Sequence, residues 1–476
     1  MSKSGDTADA SVAQRTSVEQ WLSAAFPTAG WTTDPAECLA YGYDNSRRMA
    51  QPVAVIFPTT HEQVVELVRG CREQRLPLIA RGRGTNTTGA TVPIEGGIVA
   101  SFERMNRIIR IDPDNRVAVV EPGVLNGDLQ AALRPHGFFW APDPTSAPYC
   151  TIAGNMACNA GGPRAVKYGA TRDNVLAARA VAGNGRDFRC GKPTTKGATG
   201  YDLTRLLIGS EGTLAVITEA TLKLTPLASA RRSLRATYAD IGAAARAVAR
   251  IMAQPVTPCA LEFLDDEALR LARQHGGEAI PVAGAMLIIE VDGEADSMDG
   301  AVAAVSGAAR GEGLIDLLAA TNHADIETIW AARKALSPSL RSIAPNKINE
   351  DVVVPVSRVP ELIVGAKAIA DKHGIAIVNF GHAGNGNIHV NLLYHPERAE
   401  QAAVVDACLA EIFDLVFSLD GTLSGEHGIG ISKRDFMSRA VDPVALDLMR
   451  AIKAQFDPDG ILNPGKLLPP VTSVPG

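Results

Sequence analysis

The stretch GHAGNGNIHVN, Gly381 to Asn391, sets two histidines among glycine and asparagine. Strands avoid both of those residues, which give up packing and favour turns. Asn391 lies two positions past His389, so on one strand the two side chains face the same way. His382 would face the other way on a single straight strand. A turn at Gly384-Asn385-Gly386 removes that obstacle and lets the two imidazoles converge. A further histidine, His427, stands beside Glu426 in SGEHGIG, between glycines, in an open loop. Two imidazoles and a carboxylate (His382, His389, Glu426) form an open site for zinc or another first-row divalent ion, with positions left for a substrate. The plainer reading is that these histidines cap turns through their ring nitrogens. That suits a lone histidine better than two across a glycine turn beside a Glu-His pair.

The stretch WAARKALSPSLR (330–341) puts Arg333 and Ser337 one helical turn apart on one face. An arginine so placed can grip a carboxylate through two parallel hydrogen bonds, and Lys347, in NKINEDVVVP, offers a second cation. A solvated helix face and a loop lysine are the ordinary alternative.

Around these groups lies an ordinary globular chain. It has 476 residues, 46% hydrophobic and 21% charged, which is enough for two or three domains with their own cores. A net charge of −6 without a basic run speaks against nucleic acid. The seven cysteines are scattered, odd in number and lack CxxC, as expected of reduced thiols in a cytoplasm. The start, MSKSGDTADASVAQ, has no apolar core, so no signal peptide is expected, and residues 1–15 are expected to be loose. No apolar run is long enough to span a membrane.

Along the chain, a capping box at Thr60 and Gln63 starts a helix, and PLIA (77–80) is a short strand. Strands follow around a Pro-Asp-Asn turn and around Gly183-Asn184-Gly185, and this region closes near residue 227. Beyond it, strand and helix patterns alternate: SLRATY, DIGAAARAVARIMA, CALEFLD, MLIIEVDG, a helix over 325–343, AIVNF and HVNLLY. The pattern implies an α+β fold with a ferredoxin-like sheet in its second part. The expected division is residues 1–227, then 228–430 with the metal site, then a C-terminal segment 431–476 that packs back on the first part.

Three loops in the first part are rich in small residues. RGRGTNTTGA carries Gly82, Gly84 and Gly89, which is not the G-x-G-x-x-G spacing, and no helix pattern follows it. A nicotinamide dinucleotide is therefore disfavoured. Successive backbone N–H groups with Thr85, Asn86, Thr87 and Thr88 can still cradle phosphate. PDPTSAPYCTIAGNMACNAGG (142–162) has no periodicity and reads as a long functional loop, and IGSEGTLAVIT (208–218) is a shorter one.

Taken in this order, with the terminal FDPDGILNPGK, these loops resemble the FAD-binding domain of the vanillyl-alcohol oxidase/p-cresol methylhydroxylase flavoproteins. GHAGNGNIHVN and SGEHGIG resemble the branch of FAD-dependent D-2-hydroxyacid dehydrogenases acting on D-lactate, glycolate or D-2-hydroxyglutarate. The resemblance covers about residues 45–468. It implies an FAD-binding domain and a ferredoxin-like substrate domain. It also implies FAD contacts from Arg81, Gly82, Arg83, Gly84, Thr85, Asn86 and Thr87, and from Pro142, Asp143, Thr151, Ile152, Gly154, Asn155, Asn159, Gly161 and Gly162. Glu211, Gly212, Ile217 and Asn463 complete that set. No histidine stands in the first loop, where covalently flavinylated relatives carry one, so non-covalent FAD is expected.

The same resemblance implies His382, His389 and Glu426 as metal ligands, His427 as the catalytic base, and Arg333, Ser337, Lys347 and Asn391 at the substrate. Many relatives have aspartate where Asn385 stands. A flavin and a metal together imply oxidation of a D-2-hydroxyacid, with a diacid such as D-2-hydroxyglutarate ahead of D-lactate or glycolate. A quinone, an electron-transfer flavoprotein or a cytochrome would take the electrons. A homodimer, and a place in the cytoplasm or at a membrane periphery, go with this reading. The alternative is a metallohydrolase that uses His382, His389 and Glu426 without flavin chemistry.

Overall fold

The computed structural model describes residues 4–27 and 30–470. It falls into two compact units. The first comprises Met1–Ala160, Ala170–Pro226 and Glu426–Gly476, and the second Gly161–Gly169 and Leu227–Gly425. Both the short segment 161–169 and the start of the C-terminal stretch thus differ from the expected division.

The first unit has two main sheets. Strands β1 (Gly30–Thr32), β2 (Ala54–Phe57), β3 (Leu78–Arg81) and β4 (Ile98–Ser101) take the order β1-β2-β4-β3, with β4 parallel to both of its neighbours. The parallel pair β2 and β4, buried along nearly their whole length, are short apolar runs, as parallel strands must be. Strands β5 (Ile108–Asp112) and β6 (Val117–Val120) come next, then a two-residue strand β7 (Phe138–Phe139). Strands β8 (Val175–Ala182), β9 (Asp187–Gly191) and β10 (Ala215–Lys223) complete an antiparallel sheet of order β5-β6-β10-β8-β9, and β11 (Thr225–Pro226) pairs with β7.

The helix His61–Glu73 buries Val64, Leu67, Val68 and Cys71, as its spacing requires. Thr60 caps it by accepting from Gln63 N, while the Gln63 side chain reaches back to Thr59 N. Residues 1–15, expected to be loose, are helical from Ser4 onward. The run 142–162, expected to be an irregular loop, contains the helix Ile152–Cys158. Thr151 caps it at one end, and Asn159 ends it in the left-handed region (φ 54°). Small residues hid its periodicity, since Ala, Gly and Cys make a weak apolar stripe.

The second unit is one seven-stranded antiparallel sheet. Its strands are β12 (Ala230–Tyr238), β13 (Ala260–Asp265), β14 (Ala285–Gly293), β15 (Leu314–Ala319), β16 (Asn346–Val353), β17 (Ala376–His382) and β18 (Asn387–Tyr394), in the order β15-β12-β14-β13-β17-β18-β16. The first four take the ferredoxin-like order, fourth-first-third-second. Helices Asp266–Gly276 and His323–Ser339 cover one face, over Leu264, Met286, Ile288, Val378, Phe380 and Leu393. Helices Ile241–Ala253, Met298–Ala309, Val359–His373 and Ala399–Ser418 pack on the sheet as well. Among the described residues no helix is long and apolar enough to cross a membrane.

Candidate active site

The turn at Gly384-Asn385-Gly386 closes the hairpin β17–β18, which pairs His382 with Asn387 and Phe380 with His389. His382 and His389 therefore lie diagonally on one face, with ring centroids 5.3 Å apart. Only glycine fits at position 386: its φ is +70°, and a Cβ there would meet the Val354 carbonyl oxygen at 1.9 Å. Along this face the strands change from apolar to polar. Leu264, Phe380 and Val378 give way to Glu262, His382, His389, Asn391 and Asp351.

Asp351, opposite His389 on β16, accepts from Ser424 Oγ at 3.0 Å and from Gly425 N at 3.0 Å. These bonds hold the chain just before Glu426. One ligand atom each from His382, His389 and Glu426 lies within 4.8 Å of the others. The donor set and its spacing fit a first-row divalent ion.

Behind His382 stands Glu262 on β13, its cross-strand neighbour, with a fully buried side chain. Its Oε1 accepts from His382 Nδ1 at 2.5 Å and its Oε2 from Arg333 Nε at 2.8 Å. Burial alone would push this carboxyl up, but His382 and Arg333 outweigh it and hold the group well below its usual range. The Arg333 guanidinium also lies over the Phe380 ring, 4.8 Å from its centroid. Its Nη groups make no hydrogen bond among the described residues. Ser337 is on the same helix, but its side chain lies outside the described residues. Lys347 is exposed on β16, opposite Leu393. Asn391 is buried. Its amide donates to Val378 O and His389 O, and its Oδ1 has no partner among the described residues.

In the first unit the expected cofactor loops come together. A Cβ at Gly82 would meet Thr151 Oγ1 at 2.3 Å, so the first loop packs directly on the cap of the Ile152–Cys158 helix. Asn86 Nδ2 donates to Cys158 Sγ and, at 2.8 Å, to His427 O, while its Oδ1 accepts from Thr88 and Ala90. Glu211, left-handed at φ 52°, accepts from Ile429 N and Gly430 N. Burial raises its carboxyl to about 7. Asn463 Nδ2 donates to Glu211 O and Ala90 O.

Several residues expected at the cofactor therefore spend their side chains inside the protein. Arg81 is buried on Tyr43 O, Asn155 bonds Asn126 and Cys150, and Ile152 and Ile217 lie in the core. Gly161 and Gly162 group with the second unit. Gly84 (φ 66°) and Gly212 (φ 72°) lend their backbones left-handed freedom, and Thr87 Oγ1 is buried without a partner among the described residues. An orphaned hydroxyl in a glycine loop fits a phosphate-bearing cofactor. Sequence reasoning missed Glu262 and Asp351. For Glu262 the signal was a carboxylate inside the apolar strand ALEFLD, which can be buried only if it is paired.

A family model described as "FAD linked oxidases, C-terminal domain" matches residues 227–467, and one described as "FAD binding domain" matches residues 52–191. The chain belongs to the FAD-linked oxidases and is an FAD-dependent oxidoreductase. It is 38% identical to a protein of Bacillus subtilis named glycolate oxidase subunit GlcD, over 90% of this chain and 92% of that one. It is 32% identical to a D-2-hydroxyglutarate dehydrogenase of Stutzerimonas stutzeri, over 91% of this chain and 95% of that one. Its fold matches that of p-cresol methylhydroxylase with a TM-score of 0.75 at 17% identity, covering 92% of this chain and 94% of the other. Membership in this family overturns the flavin-free metallohydrolase reading.

Proposed function

We propose that this protein oxidises a D-2-hydroxyacid to its 2-oxoacid, with a diacid such as D-2-hydroxyglutarate favoured and D-lactate or glycolate next. The convergence of His382, His389 and Glu426 within 4.8 Å carries the reading. The names of the relatives, a glycolate oxidase subunit and a D-2-hydroxyglutarate dehydrogenase, support it.

FAD, held without a covalent bond by the Gly82–Thr87, Thr151–Asn159 and Glu211–Gly212 stretches and Asn463, supplies the two-electron acceptor that no side chain provides. His382, His389 and Glu426 would hold a divalent ion such as zinc, which would supply a Lewis acid for the 2-hydroxyl. His427 takes the hydroxyl proton on its imidazole as the general base. Asn86 holds the His427 carbonyl, and Glu211 holds the amides two and three residues on. Asn391 Oδ1 accepts a hydrogen bond from the substrate, and Arg333, Ser337 and Lys347 bind its far carboxylate. Electrons leave to a quinone, an electron-transfer flavoprotein or a cytochrome.

Anaerobic addition of D-2-hydroxyacids to the purified protein tests the reading. Bleaching of the flavin bands by one of them, most readily by a diacid, is the expected result. Bands that bleach with dithionite but with no hydroxyacid in the panel would overturn it.

A further inference from the structure

A buried carboxylate needs a reason. Removing it from water costs several kcal/mol even when it is paired. The face around Glu262 holds Leu264 and Phe380, among which an apolar side chain would pack well. Glu262 instead gives one oxygen to His382 and the other to Arg333, and all three residues belong to the second unit.

The chemistry of the two bonds differs. A carboxylate only accepts, so the His382 Nδ1 that it faces must carry the proton, and in the neutral ring Nε2 then holds the lone pair. That is the nitrogen left for an ion. The second bond pins Arg333 by Nε, which sets the plane of the guanidinium and the direction of its Nη edge.

We infer that Glu262 is a positioning residue that aims His382 Nε2 at the ion and the Arg333 Nη edge at the substrate carboxylate. One buried side chain would then set both ion affinity and diacid recognition. The inference rests on the metal-assisted reading above.

The test compares wild type with Glu262→Gln, both carrying full flavin absorbance. The zinc dissociation constant is read by competition with a chromophoric chelator. Glutamine keeps one accepting oxygen and cannot serve both partners. The variant should bind zinc about ten- to a hundredfold more weakly. Its KM should rise for a diacid by a larger factor than for D-lactate. Wild-type zinc affinity in the variant would overturn the inference and leave the metal reading standing. A wild type that binds no stoichiometric zinc would overturn both. Should the variant lose its fold, the ¹⁵N-histidine spectrum of the zinc-loaded wild type decides. The His382 signal, identified by its loss in His382→Ala, must show the proton on Nδ1, and a proton on Nε2 would overturn the inference.

Discussion

At the scale of single residues, the two histidines of the β17–β18 hairpin carry different attachments. His382 is backed by Glu262, whereas His389 faces Asp351 across the strand pair. His389→Ala should keep the flavin spectrum, since most residues expected at FAD lie in the other unit, while bound divalent ion and turnover are both lost. Normal turnover in that variant would sink the chelation mechanism. Arg333→Ala should raise KM for a diacid over that for lactate by about 2–4 kcal/mol, roughly thirty- to a thousandfold, the usual loss for a charge-assisted clamp. Equal losses for both substrates would mean that Arg333 does not read the distal group.

The convergence of His382 and His389 was legible because glycine and asparagine in GHAGNGN leave a turn as the only sensible backbone. The partners of those histidines were not. Glu262 lies more than a hundred residues away in sequence, and only sheet register brings it next to His382.

At the scale of elements, the hairpin depends on its left-handed glycine. Gly386→Ala adds about 1–2 kcal/mol of backbone cost, before any clash with Val354 O is counted. The variant should melt lower and retain less divalent ion at unchanged flavin content, as calorimetry and metal analysis would show. The loop after His427 depends instead on Glu211. Its carboxyl lies near 7 in the fold against an ordinary 4.5, so the folded state holds the proton more tightly than the unfolded chain. The stabilisation from that proton is fully present below about 4.5 and fades as the pH rises through about 7. Over that window the wild type should lose up to about 3 kcal/mol relative to Glu211→Gln, read from denaturant midpoints at a series of pH values. A constant difference across the window would contradict the assignment. Strands such as Ala260–Asp265 and the helix Ile241–Ala253 of the second unit were plain in the sequence, whereas the helices Asp266–Gly276 and Ala399–Ser418 were not among the expected elements. The Ile152–Cys158 helix was not, because small residues blur its period.

At the scale of the whole molecule, most residues expected at FAD belong to the first unit, and the two histidines proposed to hold an ion, His382 and His389, belong to the second. Free flavin at a hundred times its dissociation constant adds about 2.7 kcal/mol to whatever binds it. Stripping flavin should therefore lower the calorimetric transition of the first unit, and a chelator should lower that of the second. A chelator that shifts only the flavin-dependent transition would place the ion elsewhere.

The first unit is assembled from three separated stretches of chain, and the last of them begins only at Glu426. Leu78 N on β3 donates to Ile461 O, and Leu78 pairs in parallel with Leu462. On a ribosome adding about 5–20 residues per second, that edge of β3 waits on the order of tens of seconds for its partner. All of the second unit's long stretch emerges during the interval. The nascent first unit is thus an unfinished sheet with an open strand edge, while the later-made second unit can close on itself first. Newly made chains should lean on chaperones in that interval, and slower translation past Pro226 should lower the yield of soluble flavoprotein.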